Sequence, residues 1–83
     1  MELKDTIELM NSSDYKERFK AEYFQLKIRY TKLLEMLKKW DNKELNFEPT
    51  CPRTIYNTQI VAMKMYLETL EDRAHLENVP LEA

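Results

Sequence analysis

Tyr15, Arg18 and Glu22 follow one another at spacings of three and four residues. On a helix that spacing puts a phenol ring, a guanidinium and a carboxylate on one face. Arg18 and Glu22, four apart, are expected to pair, and the Tyr15 ring is placed to lie flat against something outside the fold. Gln59, Met63, Tyr66 and Arg73 trace a second stripe of mixed polarity further along the chain. Gln59 either cross-links protomers or faces water. Cations interleaved with flat rings suit a ligand that carries phosphates and bases, because phosphate takes guanidinium or ammonium donors and a base takes an aromatic face. The competing reading is a solvated cationic face over an aromatic-rich core.

Other chemistry is poorly supplied. The chain has no glycine, which removes glycine-rich phosphate loops, dinucleotide fingerprints and nucleophile elbows together. One cysteine, Cys51, and one histidine, His75, cannot build a Cys/His zinc site or an internal disulfide, and nothing in the sequence pairs them as a nucleophile and its base. Glu68, Glu71 and Asp72 beside Arg73 read as ordinary surface pairing. We therefore expect no catalytic residues, no metal and no cofactor. The 83 residues hold 13 basic and 15 acidic side chains, a net charge of −2, and a pI near 5.4 speaks against a nucleic-acid duplex as partner. No run approaches the ~18–20 apolar residues of a membrane span, and the start lacks a signal-peptide core. The expectation is a soluble, intracellular, helical protein of one domain that is not an enzyme.

The elements that must carry these residues are two long helices. Between Asp14 and Trp40 there is no Gly or Pro, and Phe19, Tyr23, Leu26, Tyr30, Leu33, Leu37 and Trp40 recur at gaps of 4, 3, 4, 3, 4 and 3. Ser12 or Ser13 is the expected cap, and Lys38 and Lys39 suit the last turn. Asp41 to Pro49 reads as a connection. Thr50 then caps a second helix over 52–77, with Pro52 in its first turn and Tyr56, Ile60, Met63, Leu67, Leu70 and Ala74 as its seam. Leu3, Ile7 and Met10 suggest a short helix over about 3–11. The fold class is all-α: an antiparallel hairpin of two long helices, about 14–40 and 52–77, preceded by a short one. The segment 14–40 carries eight cations against four acids and six of the nine aromatics, while the remainder carries five cations against eleven acids.

Each long helix is apolar beyond one seam. Phe24, Ile28, Leu34 and Met36 flank the first, and Ile55, Val61 and Met65 flank the second. Two facing helices leave such flanks wet, and a short third helix cannot cover them. A core of this size is also marginal alone. Self-association follows as the expectation, with a monomeric three-helix bundle as the alternative.

The ordered run Tyr15-x-x-Arg18-x-x-x-Glu22-x-x-x-Leu26, then Lys32-Leu33, a Pro-containing linker, and Gln59-x-x-Ala62-Met63-x-x-Tyr66-x-x-x-Leu70-x-x-Arg73, resembles a phage family. It is similar to the anti-CBASS type 2 cyclic-oligonucleotide sponges, in their crAss-like phage branch, over Asp14 to Leu76. The resemblance implies a hairpin that assembles into a hexamer in the cytoplasm of the infected bacterium. It implies binding of cyclic di- and trinucleotides without turnover, and no DNA, RNA or membrane partner. Carried over by position, Tyr15 stacks on a base, Lys32 or Arg29 meets the phosphates, and Tyr66 and Arg73 serve a trinucleotide site; Arg18 shares the face of Tyr15. The linker Asn46-Phe47-Glu48-Pro49-Thr50-Cys51-Pro52 departs from the sponges of known ligand. Two other functions compete: a helical protein–protein module, and an accessory phage protein with no small ligand.

Overall fold

The uninterrupted heptad spacing produces the long helices. In a computed structural model, which describes residues 1–82, a 3-10 turn at Leu3–Thr6 leads into α1 (Ile7–Met10), followed by α2 (Tyr15–Asp41, 27 residues) and α3 (Arg53–Glu77, 25 residues). The described chain measures 43 × 24 × 18 Å. The fold is all-α, with the long helices packed antiparallel: the start of α2 meets the end of α3 through Tyr15 and Glu77, and its end meets the start of α3 through Asp41 and Arg53. Arg53 donates to both carboxylate oxygens of Asp41 and lies 5.5 Å above the Trp40 ring, which packs edge-on to Tyr56.

The helix starts differ from expectation. Asp14, not Ser12 or Ser13, caps α2 through a 3.0 Å bond accepted from the Lys16 N–H. Ser12 instead accepts from the Asp14 N–H and so shapes the approach. Pro52 rather than Thr50 stands at the cap of α3, with extended backbone and no side-chain bond. Both helix exits use a left-handed residue although the chain has no glycine: Lys43 at φ 58° and Asn78 at φ 57°. In each, a backbone N–H one residue later reaches back to close the last turn, Glu44 to the Lys39 carbonyl and Val79 to that of Ala74. Asn tolerates this conformation, but Lys does not favour it. Lys43→Gly is therefore expected to stabilise the fold by about 1 kcal/mol, read as a raised midpoint in urea.

The core is lopsided. Its buried cluster joins Phe19, Tyr23 and Phe24 of α2 to Leu67, Leu70 and Ala74 of α3 and to Val79 beyond the helix. Phe24, expected on a wet flank, is buried instead. Leu9 and Leu81, from the two end segments, pack against this cluster. Thr6 is also fully buried; its hydroxyl donates to the Leu3 carbonyl and accepts from Gln25 of α2, so the N-terminal segment is fastened to the hairpin. Towards the connecting loop the seam residues Leu33, Trp40, Tyr56, Ile60 and Met63 are only half-buried, with Leu37 the buried exception. Leu34, Ile55, Val61 and Met65 remain exposed, as flank positions should when nothing covers them.

Within the core, the Tyr23 hydroxyl donates to Glu71 at 3.0 Å. Burial, and then that bond to a carboxylate, push its pKa up to about 12. The unfolded chain ionises this phenol near 10 while the folded chain holds the proton. Its contribution is complete below pH 10 and is lost as the pH rises towards 12. Between pH 9 and 11 the urea midpoint of the wild type is expected to fall further than that of Tyr23→Phe.

Candidate functional site

The start of α2 and the end of α3 are clasped by a four-residue cluster. Arg73 donates to the Tyr15 hydroxyl at 2.8 Å and to Glu77 at 3.2 Å, and its guanidinium lies 4.9 Å from the Phe19 ring centre. The Tyr15 hydroxyl in turn donates to Glu77 at 2.7 Å. The bond from Tyr15, reinforced by Arg73, holds the Glu77 carboxyl below its ordinary range, and the bond to Glu77 raises both Tyr15 and Arg73. Arg73 thus pairs with Glu77 and not with the neighbouring acids of its own sequence run, and Glu71 serves Tyr23 instead. The Tyr15 ring also lies tilted against that of Phe19, with centroids 6.3 Å apart. The residue remains 47% exposed, which leaves ring surface for a flat partner.

A second group gathers beside it. Arg18 and Arg29 of α2 and Tyr66 of α3 line one open cleft of about 480 Å³ with Glu22, Gln25 and Met10. The Arg18–Glu22 pair expected from the spacing does not form. Arg18 donates to the Ser12 carbonyl at 2.9 Å, and Glu22 accepts from the Tyr66 hydroxyl across the hairpin. The reason lies in geometry: the chain turns back before α2 and offers Arg18 a carbonyl, while the facing helix offers Glu22 a phenol. With one bond spent on Ser12, Arg18 keeps further N–H donors. Arg29 has no hydrogen-bond or ion-pair partner among the described residues. The cleft therefore offers two guanidinium groups near one ring, an arrangement for an anion attached to a planar group.

Lys32 is elsewhere. It lines a separate cleft of about 380 Å³ with Lys27, Glu35 and the apolar Phe24, Ile28 and Leu81. The six residues singled out from sequence thus occupy three places: Tyr15 with Arg73, Arg18 with Arg29 and Tyr66, and Lys32 alone. Sequence reasoning missed Gln25, whose amide reaches Thr6 and Met10 and so builds the cleft wall, and Glu77, which holds Tyr15. Gln25 sits three positions after Glu22 on the same helical face, a spacing that flags it. Glu77 carried no such signal, because its partner is 62 residues away.

Cys51 and His75 stand at opposite ends of α3. Among the described residues no group of three or more His, Cys, Asp or Glu is placed to hold a metal ion, and no helix is long and apolar enough to cross a membrane.

No curated protein and no solved structure matches this chain. A protein-family model described as Sequestin does match, over residues 13–76, a span that takes in α2, the connecting loop and nearly all of α3, with every residue of the clasp except Glu77 and every residue of the Arg18–Arg29–Tyr66 cleft except Met10. With about three quarters of its length covered by that match, the chain belongs to the Sequestin family.

Proposed function

We propose that this Sequestin-family protein binds and sequesters cyclic di- and trinucleotide second messengers without hydrolysing them. In this reading it is a phage anti-defence protein of the anti-CBASS type 2 kind, from the crAss-like branch. It acts in the cytoplasm of the infected bacterium as a homo-oligomer, a hexamer by the resemblance, with no cofactor, no nucleic-acid duplex and no membrane as partner. The observation that carries the reading is the convergence of Arg18, Arg29 and Tyr66, from two helices, on one cleft. Arg18 and Arg29 take phosphate oxygens, and the exposed ring of Tyr15, braced by Arg73, stacks on a base. Lys32 adds a cation from its separate cleft. The three separate places are bridged when more than one protomer surrounds the ligand, which agrees with an oligomer.

Sequestration demands tight binding, since a ligand that is not consumed must be kept from its receptor. A nanomolar complex corresponds to about −12 kcal/mol. Charge-assisted bonds at roughly 1.5–3 kcal/mol and stacking at roughly 1–3 kcal/mol per base supply part of that, and enclosure between protomers supplies the rest. Titration calorimetry of the folded protein against a panel of cyclic di- and trinucleotides should give saturable heat with at least one, and mass spectrometry should recover that ligand intact. No heat across the panel overturns the reading. The exposed apolar side of α3, with Val61 and Met65, favours a second one, a helical protein–protein module without a small ligand; it expects no heat from any nucleotide.

A further inference from the structure

Glu77 is the last residue of α3, and a carboxylate there faces the negative end of the helix dipole. Two donors hold it against that field. Its Oε1 accepts from the Tyr15 hydroxyl at 2.7 Å and its Oε2 from the Arg73 Nε–H at 3.2 Å. A phenol on one oxygen and a guanidinium on the other would hold two oxygens of a phosphate in the same way. The two donors are also fixed by contacts that do not involve Glu77. Phe19, itself 2% exposed, lies under the Arg73 guanidinium at 4.9 Å, and a terminal nitrogen of Arg73 donates to the Tyr15 hydroxyl at 2.8 Å. The helix end is fastened by the buried Val79 and its bond to the Ala74 carbonyl. Donors held in this way favour negative charge, and the Glu77 carboxyl lies below its ordinary range, chiefly through the Tyr15 bond.

We propose that Glu77 is an internal stand-in for an anionic ligand: its carboxylate fills a phosphate seat formed by Tyr15 and Arg73, and a phosphate ester binds there by displacing it. The part in which that phosphate belongs to a cyclic nucleotide rests on the reading proposed above; the seat itself does not. Exposure makes the exchange possible. The Arg73 and Glu77 side chains are 44% and 35% exposed, whereas the chemically similar Tyr23–Glu71 bond is part-buried within the core. An exposed pair of this kind contributes little, so its displacement weakens an incoming anion by only about three- to five-fold. The same exchange sets specificity. A lone carboxylate gains nothing by replacing another that is already tethered. A phosphate brings a further oxygen, which can reach the terminal nitrogen of Arg73 that makes no hydrogen bond among the described residues. Lys16, which donates to the Asn78 carbonyl at 3.3 Å, keeps another cation next to the helix end.

Inorganic pyrophosphate tests the seat without any nucleotide, read at the Arg73 Nε–H resonance so that binding at other cations does not count. Glu77→Gln and Glu77→Ala should keep the wild-type circular dichroism and bind pyrophosphate there about three- to five-fold more tightly than the wild type. Acetate should give no response at Arg73 in the wild type, and a response equal to that of pyrophosphate overturns the selectivity. An Arg73 resonance that pyrophosphate leaves unmoved in both variants overturns the seat. Equal affinity in wild type and variants overturns the competition. Weaker binding in the variants overturns it too, since Glu77 would then position the donors instead of blocking them. A second titration uses whichever cyclic nucleotide the wild type binds, which Glu77→Gln should bind more tightly by the same factor. An unaltered affinity removes the seat from the nucleotide site. A panel in which no nucleotide binds removes the sequestration reading and leaves the pyrophosphate result standing, so the two fail separately.

Discussion

Leu70→Ala is expected to lose about 2–5 kcal/mol and to leave much of the chain unfolded at 37 °C, seen as loss of helical ellipticity. Leu70 has no exposed surface and sits where Phe19 and Tyr23 of α2, Leu67 and Ala74 of α3 and Val79 of the tail meet. Removing its branched end opens a void that five side chains on three segments would have to fill together. They cannot, because Tyr23 is tied to Glu71 and the tail is tied through Val79 to the Ala74 carbonyl. Domains this small have stability towards the low end of about 5–15 kcal/mol, so a loss of that size is a large share of the total. Leu33 is a seam residue of the same type but half-buried, and Leu33→Ala should lose less than half as much.

The second large effect concerns binding. Arg18→Ala combined with Arg29→Ala should weaken a cyclic dinucleotide at least 100-fold, since each lost bond to a charged phosphate is worth roughly 1.5–3 kcal/mol. Both residues are exposed, and neither joins an ion pair among the described residues, so helix content should stay as it was. Calorimetry on the double variant measures the loss directly. Should Lys32→Ala abolish binding while the double variant keeps it, the phosphates lie in the Lys27–Lys32 cleft instead.

Periodicity made both long helices readable, because an apolar side chain every three or four residues allows one backbone form only. The same spacing marked the side of α3 that stays open. What it could not convey is which part of a seam is deep. Phe19 and Leu70 are buried while Tyr56 and Met63, at equivalent seam positions, are half-exposed. The difference comes from the two end segments, which cover one end of the hairpin and fold over Phe24 as well. Those segments are irregular. Val79 lies past the helix after a left-handed Asn78, and Thr6 is a polar residue whose burial depends on Gln25 lying opposite. Among the site residues, face-sharing placed Arg18 correctly near Glu22 but not its bonds, since those are set by Ser12 and Tyr66, which come from other segments. Tyr15 and Arg73 were each marked in sequence; their union was not, since 58 residues separate them.

The uneven core also divides the molecule by how readily it opens. Backbone amides in the second half of α2 and the first half of α3 are guarded mainly by Leu37, the Trp40–Tyr56 contact and the Arg53–Asp41 pair, whereas those near Leu70 open only when the whole chain does. Deuterium should therefore enter the loop end first and the end-segment side last. A partner that grips the loop end would slow that early exchange and leave the late phase almost untouched.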